Sequence, residues 1–497
     1  MARREIRLQY SGLIIFAAKV LSIGTGLIFT LLITRNTTEQ QYGIWANIFD
    51  VMGYFVLLAT AIPFWTTRFV ARDKEGSTKT GLAANLIIGV ISTVLYLPLV
   101  PFITSALDIL QGYVVLYFMV SAQIIEVHLI NQFEATLRAE KPQAVGFGLL
   151  FEEITKISLA YVLIVGLKQP LVGAMISLTI GFLIQIIYYL KLTSPSLKQK
   201  IQWNYVREWL KGSTAYIYYL IGNQLYAFVV IFLFILGGQA ARGDFEAAST
   251  ISSIVGYSSL LSFALYPRLL ADKGREDVTT SLKLVLMFVI PLAAVAMAIP
   301  DSLLIVLKES YAEASPVLFI LAIDALITTI TGFYQYVLFG IEKLDQKGTI
   351  PIRQLVKSDT FKAFTLTYVQ SAIMLPLSYY VLKTFALGQT VRAGVYIASI
   401  TMTTHLAMFI ILYIIVRRAI KVIVPWASVG KYMFAGATMG LVLHLIPHPT
   451  RIALVLATGV VGGILYLAVL SMIDKDARRL IKSILQEIRG QFSARAT

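Results

Sequence analysis

The chain has 497 residues, 57% of them hydrophobic and only 14% charged, with a mean hydropathy of +0.76. Those values exclude a water-soluble globular protein. The absence of cysteine excludes disulfides, thiolate metal sites and cysteine nucleophiles.

The apolar residues fall in about fourteen blocks of roughly 20 residues, the length a helix needs to cross a bilayer. Lipid offers no partner to a free N–H or C=O group, so each block must close its own hydrogen bonds as a helix. The expected fold is an all-α polytopic membrane protein. The first helix covers 10–34 and is followed by a tight polar turn carrying Arg35, Tyr42 and Gly43. The second covers 43–65, is broken by Pro63, and leaves through Arg68, Arg72 and Lys74. Four more follow at 81–103, 112–137, 144–167 and 169–191. From 194 to 212, Ile201, Tyr205 and Trp209 share one side of an amphipathic helix among lysines and arginines, as an interfacial linker would. Helices then come at 213–236, 244–266, 280–300, 315–340, 362–383 and 392–416, with a last pair at 430–447 and 452–473. Pro98, Pro101, Pro291 and Pro376 fall in or beside spans and read as kinks. The tail beyond Asp474 sets Leu480, Ile484 and Ile488 against Arg478, Arg479 and Lys482, again amphipathic.

The opening stretch returns about two hundred residues later, which marks an internal duplication. Arg242 answers Arg35, Phe245 answers Tyr42, Pro267 answers Pro63, and Glu342-Lys343 answers Glu140-Lys141. The chain therefore divides into an N-terminal lobe of six helices (1–200), a second lobe of six (201–420), and two final helices with a basic tail (421–497). Two similar halves are a common ground plan for secondary transporters.

The formal charge of +15 would by itself suit a nucleic-acid partner, but its placement argues otherwise. With the N-terminus inside, most of the 42 basic residues lie in the segments on one side of the membrane. The opposite segments hold only Arg35, Lys168, Arg242, Lys308, Lys383, Arg392 and Arg451. That asymmetry puts both termini in the cytoplasm.

Ionisable groups inside spans are costly and point to function. Lys19 shares a stripe with Ser22, Gly26 and Thr30 on the first helix. Asn47, Asp50 and Tyr54 align on the second, and Gln123, Glu126 and Glu134 on the fourth. The fifth carries Glu152, Glu153 and Lys156, a cluster able to neutralise itself. The seventh stacks Tyr216, Tyr219, Asn223 and Tyr226. The tenth aligns Asp324, Thr328, Thr331 and Gln335, and the twelfth groups Thr401, Thr404 and His405. The functional reading is a polar cavity in which Lys19, Ser22, Arg35, Asn47, Tyr219, Asn223 and Gln335 meet substrate. Asp50, Glu126, Glu134 and Asp324 would then manage a coupling proton or sodium ion. The plainer reading is that these groups pair with one another to hold the bundle together. No phosphate-cradling Gly-x-x-x-x-Gly-Lys-Ser/Thr occurs, which excludes a nucleotide motor of that type. No histidine pair reads as a metal site, and no cofactor is expected.

Ile33-Thr34-Arg35, followed by Glu39-Gln40-Gln41-Tyr42-Gly43, resembles the turn between helices one and two of O-antigen and related polysaccharide flippases. Those proteins belong to the multidrug/oligosaccharidyl-lipid/polysaccharide exporter superfamily. Tyr311-Ala312-Glu313-Ala314-Ser315-Pro316-Val317-Leu318 resembles that family's entry into helix ten. The usual Leu-Gly before the acidic pair is replaced here by Asn36-Thr37-Thr38. The resemblance implies a flippase of the cytoplasmic membrane that carries a lipid-linked oligosaccharide by alternating access. Its partners would be a polyprenyl or dolichyl phosphate or pyrophosphate carrier, membrane lipids and glycan-assembly enzymes. Lys19 and, at the outer mouth, Arg35 would be the cationic contacts. A cation-coupled multidrug exporter of the same superfamily is the alternative. A polytopic glycosyltransferase is a third reading, disfavoured because no large outside loop is present to carry catalytic residues.

Overall fold

The computed structural model describes residues 8–259, 275–342, 358–420, 424–475 and 477–479. Among the described residues the regular structure is helical, with no strand. The first helices are α1 (Leu8–Arg35), α2 (Glu39–Phe55), α3 (Ala61–Ala71), α4 (Ser77–Ala106), α5 (Gln111–Glu140) and α6 (Pro142–Ala160). Next come α7 (Pro170–Thr193), α8 (Trp203–Gly212), α9 (Thr214–Ala227), α10 (Val229–Phe232) and α11 (Gln239–Gly256). The remainder are α12 (Arg275–Ala298), α13 (Pro300–Leu307), α14 (Ser315–Glu342), α15 (Asp359–Phe385), α16 (Thr390–Ala419), α17 (Trp426–Leu445) and α18 (Ile452–Ile473). Each of the fourteen expected segments carries helix, the one at 244–266 being described only as far as 259.

Nine helices among the described residues are long and apolar enough to cross a membrane, and α2 with α3 makes a tenth, bent by 59°. Only 17% of the apolar window is buried in Ser77–Ala106 and in Ile452–Ile473. Their outward faces of leucine, isoleucine and valine would be penalised in water and are matched to hydrocarbon. The protein is a multi-pass membrane protein.

The bend in the second span precedes the proline that was expected to cause it. A single turn at Leu57–Thr60 interrupts the helix, and Pro63 is the third residue of α3. In a first turn the backbone N–H has no intrahelical acceptor, so proline costs nothing there. Pro98, Pro101, Pro291 and Pro376 lie inside helices and end none of them.

Packing gathers the chain into two compact units. One contains Met1–Gly243 and Thr367–Thr390, the other Asp244–Lys347 and Val391–Thr497, with short segments added to each. In the first unit α1 packs along α6, and α5 lies beside α3, α4 and α7. The amphipathic α8 is docked on protein. Trp209 is fully buried, its ring 5.3 Å from Phe69, and Tyr205 lies 5.1 Å from the same ring. In the second unit α12 is central, packed against α14 and α17 around Val285, Val289, Phe333, Val337 and Met439. Pro267 and Arg268, Lys343, and the amphipathic tail from Leu480 onward lie outside the described residues.

Candidate functional site

The first unit carries a polar seam within its apolar helices. On α6, Glu152, Glu153 and Lys156 are all buried, at 3%, 2% and 7% exposure. Lys156 Nζ lies 2.8 Å from Glu153 Oε2 and 2.9 Å from Glu152 Oε1. Glu153 also accepts from two hydroxyls of α1, Ser22 on Oε1 and Thr25 on Oε2, each at 2.6 Å. The contact from Lys156 to Glu152 Oε1 is close but lacks hydrogen-bond alignment, so that oxygen has no hydrogen bond. Glu153 is thus fully coordinated and Glu152 is not. Gly181 of α7 packs against this turn of α6, where an added Cβ would lie 3.2 Å from the Glu152 carbonyl oxygen and in ordinary contact with the Glu152 and Lys156 side chains. On α5, Gln123 donates to Thr179 of α7 at 3.1 Å. Three residues on, Glu126 is buried with Oε2 unpartnered.

A second polar set lines α2. Asn47 is fully buried and accepts from the Tyr117 hydroxyl at 2.6 Å. Asp50 is held by both arms of Arg242, Nε to Oδ2 at 2.8 Å and Nη2 to Oδ1 at 2.9 Å. The fork-to-fork geometry makes this a strong, directional pair. Sequence reasoning placed Arg242 in an outer turn as the counterpart of Arg35. The structure instead puts it inside the first turn of α11, buried at 4% exposure. Its neighbour Gly243 faces Glu39 O, and Gly43 faces Gln239 O, so closely that a Cβ on either glycine would collide with the carbonyl. The start of α2 is fixed by a capping box. Gln41 N donates to Thr38 Oγ1 at 3.2 Å, and Thr38 N donates to Gln41 Oε1 at 2.9 Å. Of the residues that depart from the flippase turn, Thr38 therefore serves as the helix cap.

The other expected residues are scattered. Lys19 is exposed on α1 and forms no ion pair among the described residues, so it does not join the Glu153 cluster one turn away. Arg35 is the exposed last residue of α1. Tyr219 is half-buried, its ring 6.5 Å from Tyr216, which stacks on Phe64. Asn223 and Gln335 are half-buried. Glu134 is bound to Arg138 at 2.6 Å, one turn along α5. In the second unit Asp324 of α14 meets His405 of α16, Oδ1 to Nδ1 at 2.7 Å. Sequence reasoning missed Thr25 and Tyr117, which only the packing of α1 on α6 and of α2 on α5 reveals. It also passed over His444 and His448, although their spacing of four was there to be read.

Neither a protein-family model nor a curated protein matches the chain by sequence. By structure it is similar to the lipid II flippase MurJ in an inward closed conformation, with 14% identity and a TM-score of 0.65, over 94% of this chain and 100% of that one. It is also similar to an inward-facing multidrug resistance transporter of the MATE family, within the MOP superfamily. That comparison has 15% identity and a TM-score of 0.60 over 80% of this chain and 95% of the other. A third similar structure is a ligand complex of the MATE multidrug transporter DinF-BH, at 16% identity and a TM-score of 0.60, over 83% and 95%. At these identities the shared property is the fold alone.

Proposed function

We propose that the protein is a flippase that moves a lipid-linked oligosaccharide or polysaccharide precursor across the cytoplasmic membrane by alternating access, for surface-glycan assembly. The observation that carries this reading is coverage. The flippase comparison takes in 94% of the chain and the multidrug transporters 80% to 83%. The extra share is comparable to the length of chain from α17 onward. Lys19 supports an anionic ligand, because a lysine exposed on a span with no ion pair among the described residues calls for a counter-charge. That charge would be the phosphate or pyrophosphate of a polyprenyl or dolichyl carrier, with both chain termini in the cytoplasm. Ser22, Asn47, Tyr219, Asn223 and Gln335 remain the proposed polar contacts, with Arg35 at the mouth. Of the four expected coupling carboxylates, Asp50, Glu134 and Asp324 each have a basic partner. Glu126 has none among the described residues and is proposed as the group that exchanges a proton or sodium ion.

A cation-coupled multidrug exporter is the second reading, favoured by the fold shared with the ligand-bound multidrug transporter. The two are separated by reconstitution. Vesicles containing the protein should flip a fluorescent polyprenyl-pyrophosphate oligosaccharide, and faster under an imposed proton or sodium gradient. Glu126→Gln should remove that acceleration. Accumulation of cationic dyes with no flipping of the glycolipid would support the exporter instead.

A further inference from the structure

At one end of the second unit, residues of α12, α13, α14 and α17 and the turn after α17 line an open pocket of about 550 Å³. Its wall is mostly apolar, with Met297 and Phe319 among its residues, but Asp301, His444 and His448 also line it. His444 Nδ1 lies 3.2 Å from the carbonyl oxygen of Ala298 at the end of α12. A carbonyl only accepts, so Nδ1 carries the proton and donates it. His448 Nδ1 lies 2.8 Å from each carboxylate oxygen of Asp301, which likewise accepts. In the neutral form, each ring then presents Nε2 with a bare lone pair. His444 is exposed and His448 half-buried, and the hydrogen bonds of both rings run through Nδ1.

We propose that His444 and His448 form a binding site for a divalent transition-metal ion of the zinc class. The ring centroids are 5.7 Å apart. Two imidazoles sharing one zinc at 2.0–2.1 Å and a tetrahedral angle have centroids roughly 5 Å apart, so a small side-chain rotation brings both nitrogens onto one ion. The outer partners are those that metal-binding histidines use, a carboxylate for one ring and a backbone carbonyl for the other. His448 stands between Pro447 and Pro449, which restrict its backbone before any ion arrives. Ile446, before the first proline, is extended at φ −81° and ψ 153°, as that position requires. Asp301 contributes a negative charge that favours a dication. Imidazole selects zinc, copper or nickel over calcium and magnesium, which take oxygen ligands. Among the described residues no group of three or more such ligands assembles, so water completes the shell and the ion keeps open positions. Bound there, the ion ties the turn between α17 and α18 to the adjoining ends of α12 and α13.

The test uses tag-free, full-length protein in detergent, stripped with chelator and titrated with Zn²⁺ alone by calorimetry. The wild type should bind Zn²⁺, Asp301→Asn should weaken binding about 10–100-fold as loss of an outer partner does, and the double variant His444→Ala/His448→Ala should abolish it. Undiminished binding by the double variant, or no binding by the wild type at millimolar Zn²⁺, overturns the proposal. If the double variant does not accumulate, X-ray absorption at the zinc edge of the wild type decides. Two imidazole scatterers uphold the site, and a shell of oxygen alone refutes it.

Discussion

Replacing Lys156 by methionine tests the polar seam of the first unit most severely. Methionine keeps the length of the side chain and removes its charge, leaving two carboxylates in a site where each is at most 3% exposed. Breaking a buried ion pair from one side costs about 3–5 kcal/mol, because the remaining charge is neither solvated nor paired. The two carboxylates should not suffer equally. Glu153 keeps hydroxyl donors from Ser22 and Thr25 at 2.6 Å, whereas Glu152 Oε1 loses the ammonium group 2.9 Å away and has no hydrogen bond to fall back on. A second substitution should therefore rescue selectively. Lys156→Met with Glu152→Gln removes the stranded charge and should recover all but about 1.5–3 kcal/mol, the worth of the charged contact with Glu153 that stays lost. Lys156→Met with Glu153→Gln should recover less, since Glu152 stays charged and alone. The assay is the unfolding midpoint of detergent-solubilised protein followed by tryptophan fluorescence. Rescue by the Glu153 substitution equal to or better than rescue by the Glu152 substitution would refute the assignment of partners.

Lys19→Ala should abolish glycolipid flipping while leaving protein level intact, and Lys19→Arg should retain part of the activity; normal flipping by Lys19→Ala removes the headgroup role. The charge asymmetry predicts cytoplasmic loops at 68–79 and 194–211. The chain has no cysteine of its own, so single cysteines introduced there can be tested with an impermeant thiol reagent in intact cells, and labelling would overturn the orientation. Gly43→Val or Gly243→Val should destabilise the protein by at least the roughly 1–3 kcal/mol of an overpacked core, because each added Cβ meets a backbone carbonyl that no rotamer change can move. A wild-type midpoint for either variant would show that α2 and the start of α11 do not pack as described.

Hydropathy made the fourteen helical segments legible, because twenty-residue apolar runs can do little else in lipid. The polar pairs were harder to read. The partnership of Glu152 with Lys156 was visible because both lie on one helix at i and i+4. Ser22 and Thr25 on Glu153 were not, because the contact joins residues 131 and 128 apart in the chain. The stripe from Lys19 to Thr30 was read as one face, yet Ser22 turns to Glu153 while Lys19 is exposed. A stripe on a helical wheel is wider than one side chain's reach. The ion pair of Asp50 with Arg242 was unreadable for a different reason. Arg242 was matched to Arg35 by residue type, and that match assigned it to a turn.

The glycines give a better register for the proposed duplication. Gly43 lies against the carbonyl of Gln239, the first residue of α11, and Gly243 lies against the carbonyl of Glu39, the first residue of α2. The contact is reciprocal, as when two copies of one element meet across a two-fold axis. A duplication would account for it, pairing Glu39 with Gln239 and Gly43 with Gly243. The resemblance persists there because backbone against backbone admits only glycine, while lipid-facing positions accept any apolar residue and lose their history. In that register the counterpart of Arg242 is Tyr42 and that of Asp50 is Thr250, neither of them charged. The bidentate pair therefore has no image under the repeat. If the two halves arose as copies, the buried charge was added to one side of a symmetric helix contact, and at that contact the halves are chemically unequal.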